Sequence, residues 1–381
     1  MDLFARSGEL EGCNIHDFLN IINMYANSFY SFLKREKVDV IFFGSVPHEG
    51  PNYLVYIIAK ILDIKTIIML QSIFPNKFHY CYDINDFGEF NNVSNYQKVY
   101  EKCEISNEYE KNLFYMEKNY EKEKKVGLKK DKINWIDKRY KRLKINIVKY
   151  SGLKDYIYKK LYKKFIKYAD NNTYKINCKK NSTNSLNLDE KFVYFPLHLQ
   201  PEMTTSIMGG HYCDQLLAIE RLAQKIPSGW KIYIKENPKQ TSYMRGKYFF
   251  DRLKLIKNAV LVDSSYNTYD LISKSKFVAT ITGTAGWEAI SGGKNVLIFG
   301  LAWYKKLPGV FQYNDKIDVS NIFNNKINHE QLENELEKLM KKMGDGVIDQ
   351  EYIKIKTNFN LEENKITLNS FFKFALEDNR V

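Results

Sequence analysis

Residues 277–299, FVATITGTAGWEAISGGKNVLIF, decide the fold. Phe277–Ile281 is a short apolar run rich in β-branched residues. It ends on the small turn Thr282-Gly283-Thr284, Ala285–Ser291 reads as a helix, and Val296–Phe299 is a second apolar run. Strand, turn, helix and strand at this spacing form a βαβ unit, which predicts a parallel sheet. The same alternation continues upstream. Phe192–Phe195 reads as a strand. Cys213–Ile226 reads as a helix, with apolar residues at Leu216, Leu217, Ile219, Leu222, Ala223 and Ile226. Trp230–Ile234 follows as a strand, Tyr243–Ile256 as a helix, Ala259–Val262 as a strand and Tyr269–Ser275 as a short helix. The sum is a doubly wound α/β domain. His329–Lys342 and Leu361–Leu376 read as closing helices.

A second alternation stands near the start. Ile15–Lys34 reads as an amphipathic helix, Val38–Phe43 as a strand, Gly44–Pro51 as a loop, Asn52–Leu62 as a helix and Thr66–Leu70 as a strand. A Rossmann-like domain would place a strand before the first helix, and none is legible there. Between the two regions lies a stretch rich in Lys, Asn and Tyr. Within it Leu153, Ile157, Leu161, Phe165 and Tyr168 recur at helical spacing among lysines, which predicts a basic amphipathic helix. The polar run Asn171–Asp189 reads as a linker. The expected division is 1–75 for an N-terminal Rossmann-like half, 76–190 for a basic helical insertion and linker, 191–345 for the C-terminal Rossmann-like domain and 346–381 for a helical end.

Bulk properties bound the function. A chain of 381 residues with 44% hydrophobic content has material for two domains and excludes wholesale disorder. No apolar run approaches the roughly 18 residues that span a bilayer, and Met1–Leu10 lacks the pattern of a signal peptide, so a cytoplasmic chain is expected. Cys13, Cys81, Cys103, Cys178 and Cys213 are scattered and form no metal-binding pair. The net charge of +13 is concentrated: residues 121–180 hold 21 Lys/Arg against 6 Asp/Glu, leaving the rest near neutral.

Ligands of open α/β sheets bind beyond the carboxyl ends of the strands, so the loops there carry the candidates. In TITGTAGWE, Thr282, Gly283 and Thr284 lead into a helix N-terminus suited to a phosphate, and Glu288 follows one turn later. An ordinary helix cap explains that loop equally well. In PLHLQPEMTTSIMGG, His198, Gln200 and Glu202 crowd one loop, and Glu202 suits a general base or a nucleophile. In KENP, Lys235, Asn237 and Pro238 follow a strand. In GSVPHEGP, His48 and Glu49 form an acid/base or acceptor-binding pair. Solvated loops are the competing reading for each. No phosphate-binding P-loop, H-E-x-x-H helix, G-x-S-x-G elbow or G-x-G-x-x-G fingerprint is present, which argues against P-loop ATPases, zinc hydrolases, α/β-hydrolases and common dehydrogenases.

The run VYFPLHLQPEMTTSIMGGHYCDQLLAIERLA, then WKIYIKENP, then FVATITGTAGWEAISGGKNVLIFGLAWYKKLPGV resembles the capsule polysaccharide biosynthesis family, which includes retaining β-Kdo transferases. PHEGPNYLVYIIAKILDIKTI resembles that family's N-terminal half. The resemblance implies a GT-B-like architecture of two Rossmann-like domains and a glycosyltransferase of surface-polysaccharide synthesis. It implies a CMP-linked acidic sugar as donor and a glycan or glycolipid acceptor. With helix N-terminus donors to stabilise the leaving phosphate and no D-x-D motif in the chain, no cofactor or metal is expected. Gln200-Pro201-Glu202 matches the family's QPE motif, so the resemblance makes Glu202 catalytic; His198, placed to orient an acidic substrate, and His48 join it as catalytic candidates from the reading of their own loops. Thr282-Gly283-Thr284 and Glu288 match its nucleotide-binding turn, and Gln200 and Lys235 join them at the donor. The family's His-Pro dipeptide falls on Asn237-Pro238, and Asn cannot carry a positive charge toward a phosphate. The turns around Glu202 and Thr282 are expected to face one another across a groove.

Residues 121–180 suit an anionic inner-membrane surface. A catalytically silent binding protein of the same fold is the main rival. A nucleic-acid reader is disfavoured, because the segment matches no reader motif.

Overall fold

A computed structural model describes residues 14–74, 76–89, 94–97, 105, 153–355 and 359–378. Residues 106–152, which include the first half of the basic segment 121–180, lie outside these. In chain order the N-terminal elements are α1 (Ile15–Arg35), β1 (Val40–Phe43), α2 (Gly50–Ile61), β2 (Lys65–Gln71) and β3 (Lys77–Cys81). Then come α3 (Leu153–Asn181), β4 (Ser182–Thr183), β5 (Phe192–Pro196), α4 (Met203–Ser206), α5 (Gln215–Lys225), β6 (Lys231–Lys235), α6 (Lys247–Leu255) and β7 (Ala259–Val262). They are followed by α7 (Thr268–Lys274), β8 (Val278–Thr280), α8 (Thr284–Ser291), β9 (Val296–Ile298) and β10 (Val310–Gln312). The chain closes with α9 (Ser320–Phe323), α10 (His329–Lys341), β11 (Gly344–Asp345), α11 (Gln350–Ile355) and α12 (Leu361–Glu377).

The larger sheet has seven strands in the order β10-β9-β8-β5-β6-β7-β4, all parallel. Leaving aside the short edge strand β4, this is the doubly wound order, with its reversal between β5 and β8. Strands buried on both faces read as continuous apolar runs, and Phe192, Val193, Tyr194 and Phe195 are all buried. The fold class is thus α/β, with a Rossmann-type lobe at the C-terminal side.

The smaller sheet has the order β1-β2-β3-β11. Only β1 and β2 are parallel; β3 and β11 pair antiparallel. The N-terminal lobe therefore holds one βαβ unit and completes its sheet by other means. The sheet runs past residue 75 to Cys81, and its last strand and closing helix come from the far end of the chain. Phe371 of α12 packs edge-on against Phe78 and Tyr80, with ring centroids 4.7 and 4.9 Å apart. Tyr82 Oη donates to Asp378 at 2.7 Å, and Lys65 Nζ donates to the Asp378 carbonyl.

The expected linker is the main correction. Helix α3 continues through Asn181, and Ser182–Thr183 pairs with Leu261 and Val262 at the edge of the large sheet. Tyr174 is buried with its ring near Phe250, and Cys178 packs against the same core. Two well-placed apolar contacts per turn suffice to dock a helix whose composition is otherwise polar. Helix α6 begins later than expected, at Lys247, because Met244 takes a left-handed conformation (φ 55°) and Gly246 caps the helix.

Candidate functional site

The reversal between β5 and β8 places two loops side by side: Leu197–Gly209 after β5 and Ile281–Gly283 after β8. The polar residues singled out in the sequence cluster here, at the position where doubly wound sheets bind ligands. Their roles divide into scaffold and surface.

His198 belongs to the scaffold. Its ring is buried, Nε2 lies 2.9 Å from Thr280 Oγ1, and the Thr282 N–H donates to Nε2 at 3.5 Å. Burial, together with the nearby Arg245 charge, pushes its pKa down to about 4, so the ring is neutral. Gly283 has no room for a side chain, since a Cβ would sit 2.9 Å from His198 Nε2. The catalytic role expected for His198 is corrected accordingly: the ring ties the β5 loop to the β8 turn.

Gln200 is also scaffold. Arg245 Nη1 donates to its side-chain oxygen at 2.6 Å, its Nε2 donates to Cys213 O at 2.6 Å, and its N–H donates to Gln240 Oε1 at 2.8 Å. Its amide is committed to the protein, which corrects its assignment to the donor. Beneath it lies a hub that was not legible in the sequence. Arg245 and Glu236 form a salt bridge at 2.8 Å with side chains only 1% and 8% exposed. The Arg245 guanidinium also sits 4.5 Å above the Phe249 ring. Gln215 clamps the His198 backbone from both sides, accepting from its N–H at 2.7 Å and donating to its carbonyl at 3.1 Å. One signal existed. The chain has 8 arginines among its 58 basic residues, and a fork-shaped donor retained amid lysines marks a site that needs several fixed bonds.

Glu202 is half-buried at the N-cap of α4. Its carbonyl accepts from Thr205 N–H at 3.0 Å and Ser206 N–H at 2.8 Å. The expected groove between Glu202 and Thr282 is absent: Thr282 Oγ1 donates directly to Thr204 O at 2.9 Å, so the two turns form one continuous wall. Behind that wall, Tyr304 Oη donates to Gly283 O at 2.5 Å, and Gly286 leaves the space that the phenol occupies.

Thr284 is exposed at the start of α8, and Glu288 lies one turn in. Lys235, at the end of β6, donates to Tyr266 O at 2.6 Å and Thr268 Oγ1 at 2.8 Å. Burial lowers its pKa, while Asp263 and Glu288 act in the opposite direction. Asn237 forms a turn, its Oδ1 accepting from Lys239 N–H at 2.9 Å, and Pro238 beside it is exposed. His48 belongs to the other lobe, where its Nδ1 donates to Val46 O at 2.7 Å. Among the described residues, no group of three or more His, Cys, Asp or Glu side chains is arranged to hold a metal ion.

A family model described as capsule polysaccharide biosynthesis protein matches residues 110–343, more than half of the chain. The chain belongs to that family. It covers the scaffold hub, the Glu202 loop and the α8 turn in one continuous match.

Among solved structures, the KpsC β-Kdo 2,7 transferase of Thermosulfurimonas dismutans is 18% identical, with a TM-score of 0.29 over 44% of this chain and 52% of that one. The β-Kdo 2,4 transferase of the same KpsC is 11% identical, with a TM-score of 0.34 over 83% and 86%. A family 9 glycosyl transferase of Veillonella parvula is 12% identical, with a TM-score of 0.24 over 44% and 51%. The chain thus spans about half the length of the first of these. No curated protein matches it.

Proposed function

We propose that this capsule-family protein is a glycosyltransferase that takes a sugar from a nucleotide donor and adds it to a glycan or glycolipid of the bacterial surface. The observation that carries the reading is the wall at the β5/β8 reversal, where Glu202 and the start of α8 are held by one buried hydrogen-bond network. Departure of a nucleotide leaves negative charge on a phosphate, and a helix N-terminus stabilises such charge without a metal. Thr284 and the half-buried Lys235 supply donors there, with Asn237 and Glu288 beside the nucleoside and sugar. Glu202 is the carboxylate of the reaction, at the N-cap of α4. A CMP-linked acidic sugar such as Kdo is the favoured donor.

Two measurements test this. Thermal-shift titration with CMP, UDP and GDP is expected to give the largest stabilisation with CMP, since occupancy of a native site raises stability. A response to none of the three removes the donor site. Glu202→Gln is expected to abolish transfer from a CMP-sugar while leaving the nucleotide shift intact. Absence of product from the unsubstituted protein would favour a silent binding protein, the reading that Asn237 in place of the family His supports.

The proposal extends to the cytoplasmic face of the inner membrane. Leu161, Phe165 and Tyr168 of α3 are 62%, 69% and 71% exposed and fall on one helical face. The surrounding sequence carries Lys159, Lys160, Lys163, Lys164 and Lys167. Each basic residue near an anionic leaflet contributes about 1 kcal/mol. Sedimentation with phosphatidylglycerol vesicles, lost in a Leu161→Asp/Phe165→Asp variant, is the expected result. Equal sedimentation with neutral phosphatidylcholine would refute it. Among the described residues no helix is long and apolar enough to cross a membrane.

A further inference from the structure

A cavity of about 720 Å³ includes none of the residues discussed so far as donor-binding or catalytic. It lies between the lobes. One side is the face of α2 bearing Tyr53 and Lys60, with the turn Asp83–Asn85. The other is formed by Ser206–Tyr212 and by the residues that follow β9 and β10, including Gln312 and Tyr313. Its place follows from topology. Strand β3 runs antiparallel to β2, so Asp83 and Asn85 emerge at the opposite end of the small sheet from the His48 loop. Between the two ends the lobes touch through Phe43, Val46, Tyr56 and Met208, which form one apolar cluster. The cavity is a cleft beside that contact, lined by its Tyr56 and Met208 and running along α2 from Tyr53 to Lys60. Ser206 ends the single-turn helix that Glu202 caps and donates its N–H to the Glu202 carbonyl at 2.8 Å, so the cleft and the Glu202 loop lie one helical turn apart.

The chemistry of the lining restricts the ligand. Tyr53, Tyr212 and Tyr313 offer flat rings with a polar tip. Asn85 and Gln312 are exposed amides that both donate and accept hydrogen bonds. Among the described lining residues, the ammonium of Lys60 is engaged by Asp83 at 3.1 Å. Burial alone would raise the Asp83 pKa, but the Asn85 N–H, Lys60 and Tyr56 bonds hold it below the usual carboxylate value, so the cleft carries a fixed negative charge beside its positive one. The Lys60 ammonium is already paired, so a phosphate or nucleotide would have to compete with Asp83 for it. Stacking rings combined with amides and a carboxylate suit a chain of sugar rings, whose CH faces are apolar and whose edges are hydroxyls. The volume is several times that of one such ring.

We infer that this cleft is a glycan-binding subsite that holds a stretch of polysaccharide chain alongside the Glu202 loop. The ligand class rests on the transferase reading; the cleft and its lining do not. Binding is by ring stacking and hydroxyl hydrogen bonds, so it is expected to survive moderate salt, unlike capture of a polyanion by surface lysines.

The test is calorimetric titration of the full chain with two probes, chitotetraose and a hyaluronan tetrasaccharide, at low and moderate salt. At least one is expected to bind, with affinity unchanged by salt. Tyr53→Ala and Gln312→Ala are each expected to weaken that binding about fivefold to tenfold. Both variants should retain the wild-type melting temperature and nucleotide response. Gln312 is exposed, so its variant separates lost binding from lost folding. Binding of neither probe, binding that both variants leave intact, or binding abolished by salt overturns the inference. Glycan binding without any nucleotide response would sink the transferase reading and leave the cleft standing. Nucleotide response without glycan binding does the reverse.

Discussion

The Glu202 loop rests on two unlike supports. Below it, Arg245, Glu236, Gln200, Gln240 and His198 make a buried lattice of fixed hydrogen bonds. Toward the N-terminal lobe, Met203, Ile207 and Met208 lie against Phe43, Val46 and Tyr56 in an apolar contact. The lattice has one low-energy geometry, because each polar group left unmade in a dry interior is costly. The apolar contact is non-directional, and methionine adapts its shape to its neighbours. The loop is thus rigidly referenced to its own sheet and compliantly to the opposite lobe, which suits a site that must keep its geometry while the lobes adjust around a substrate.

The sharpest way to break this comparison is at the lattice. Arg245→Met leaves Glu236 buried without its counter-ion and is expected to cost about 3–5 kcal/mol, read as a shift in the urea midpoint. Adding Glu236→Leu should recover much of that loss, because both charges are then gone. A cost near zero for Arg245→Met would mean that the hub does not hold the loop.

Acid comes next. His198, at about 4, and His79, lowered by burial to about 3, stay neutral in the folded chain. Unfolded histidines bind a proton near pH 6.5, so below that value the unfolded state takes up more protons and stability falls as pH drops. Each ring is expected to cost about 2 kcal/mol by pH 5. Urea unfolding at pH 7 and pH 5 measures the slope, and His79→Phe should flatten it. An unchanged slope would mean that His79 is protonated when folded.

On the apolar side, Met208→Leu conserves volume and is expected to cost under about 1.5 kcal/mol. A larger loss would show that this contact is as exacting as the lattice and would erase the contrast.

The large sheet was legible because strands buried on both faces leave apolar runs that nothing else explains, and its helices are spaced between them. The strand β4 and the end of α3 were not legible. Their sequence is polar, and only Tyr174 and Cys178 meet the core. The short strands β3 and β11 pair across most of the chain's length, and no local pattern encodes a partner so remote. At the site, polar residues in a loop after a strand pointed to the right place, but composition does not distinguish a buried, satisfied Gln200 or His198 from an exposed ligand group. Glu236 sits between Lys235 and Asn237, where a charged residue at a strand end reads as solvated. Its partner Arg245 is nine residues away, beyond a turn.

The return of β11 and α12 to the N-terminal sheet makes the large-sheet lobe an insertion within the smaller one. On the ribosome the first lobe must wait, with Phe78 and Tyr80 uncovered, until Phe371 has been made. A chain stopped before Leu361 would therefore damage its beginning rather than its middle, and a nonsense mutation near the end would unravel the lobe encoded first.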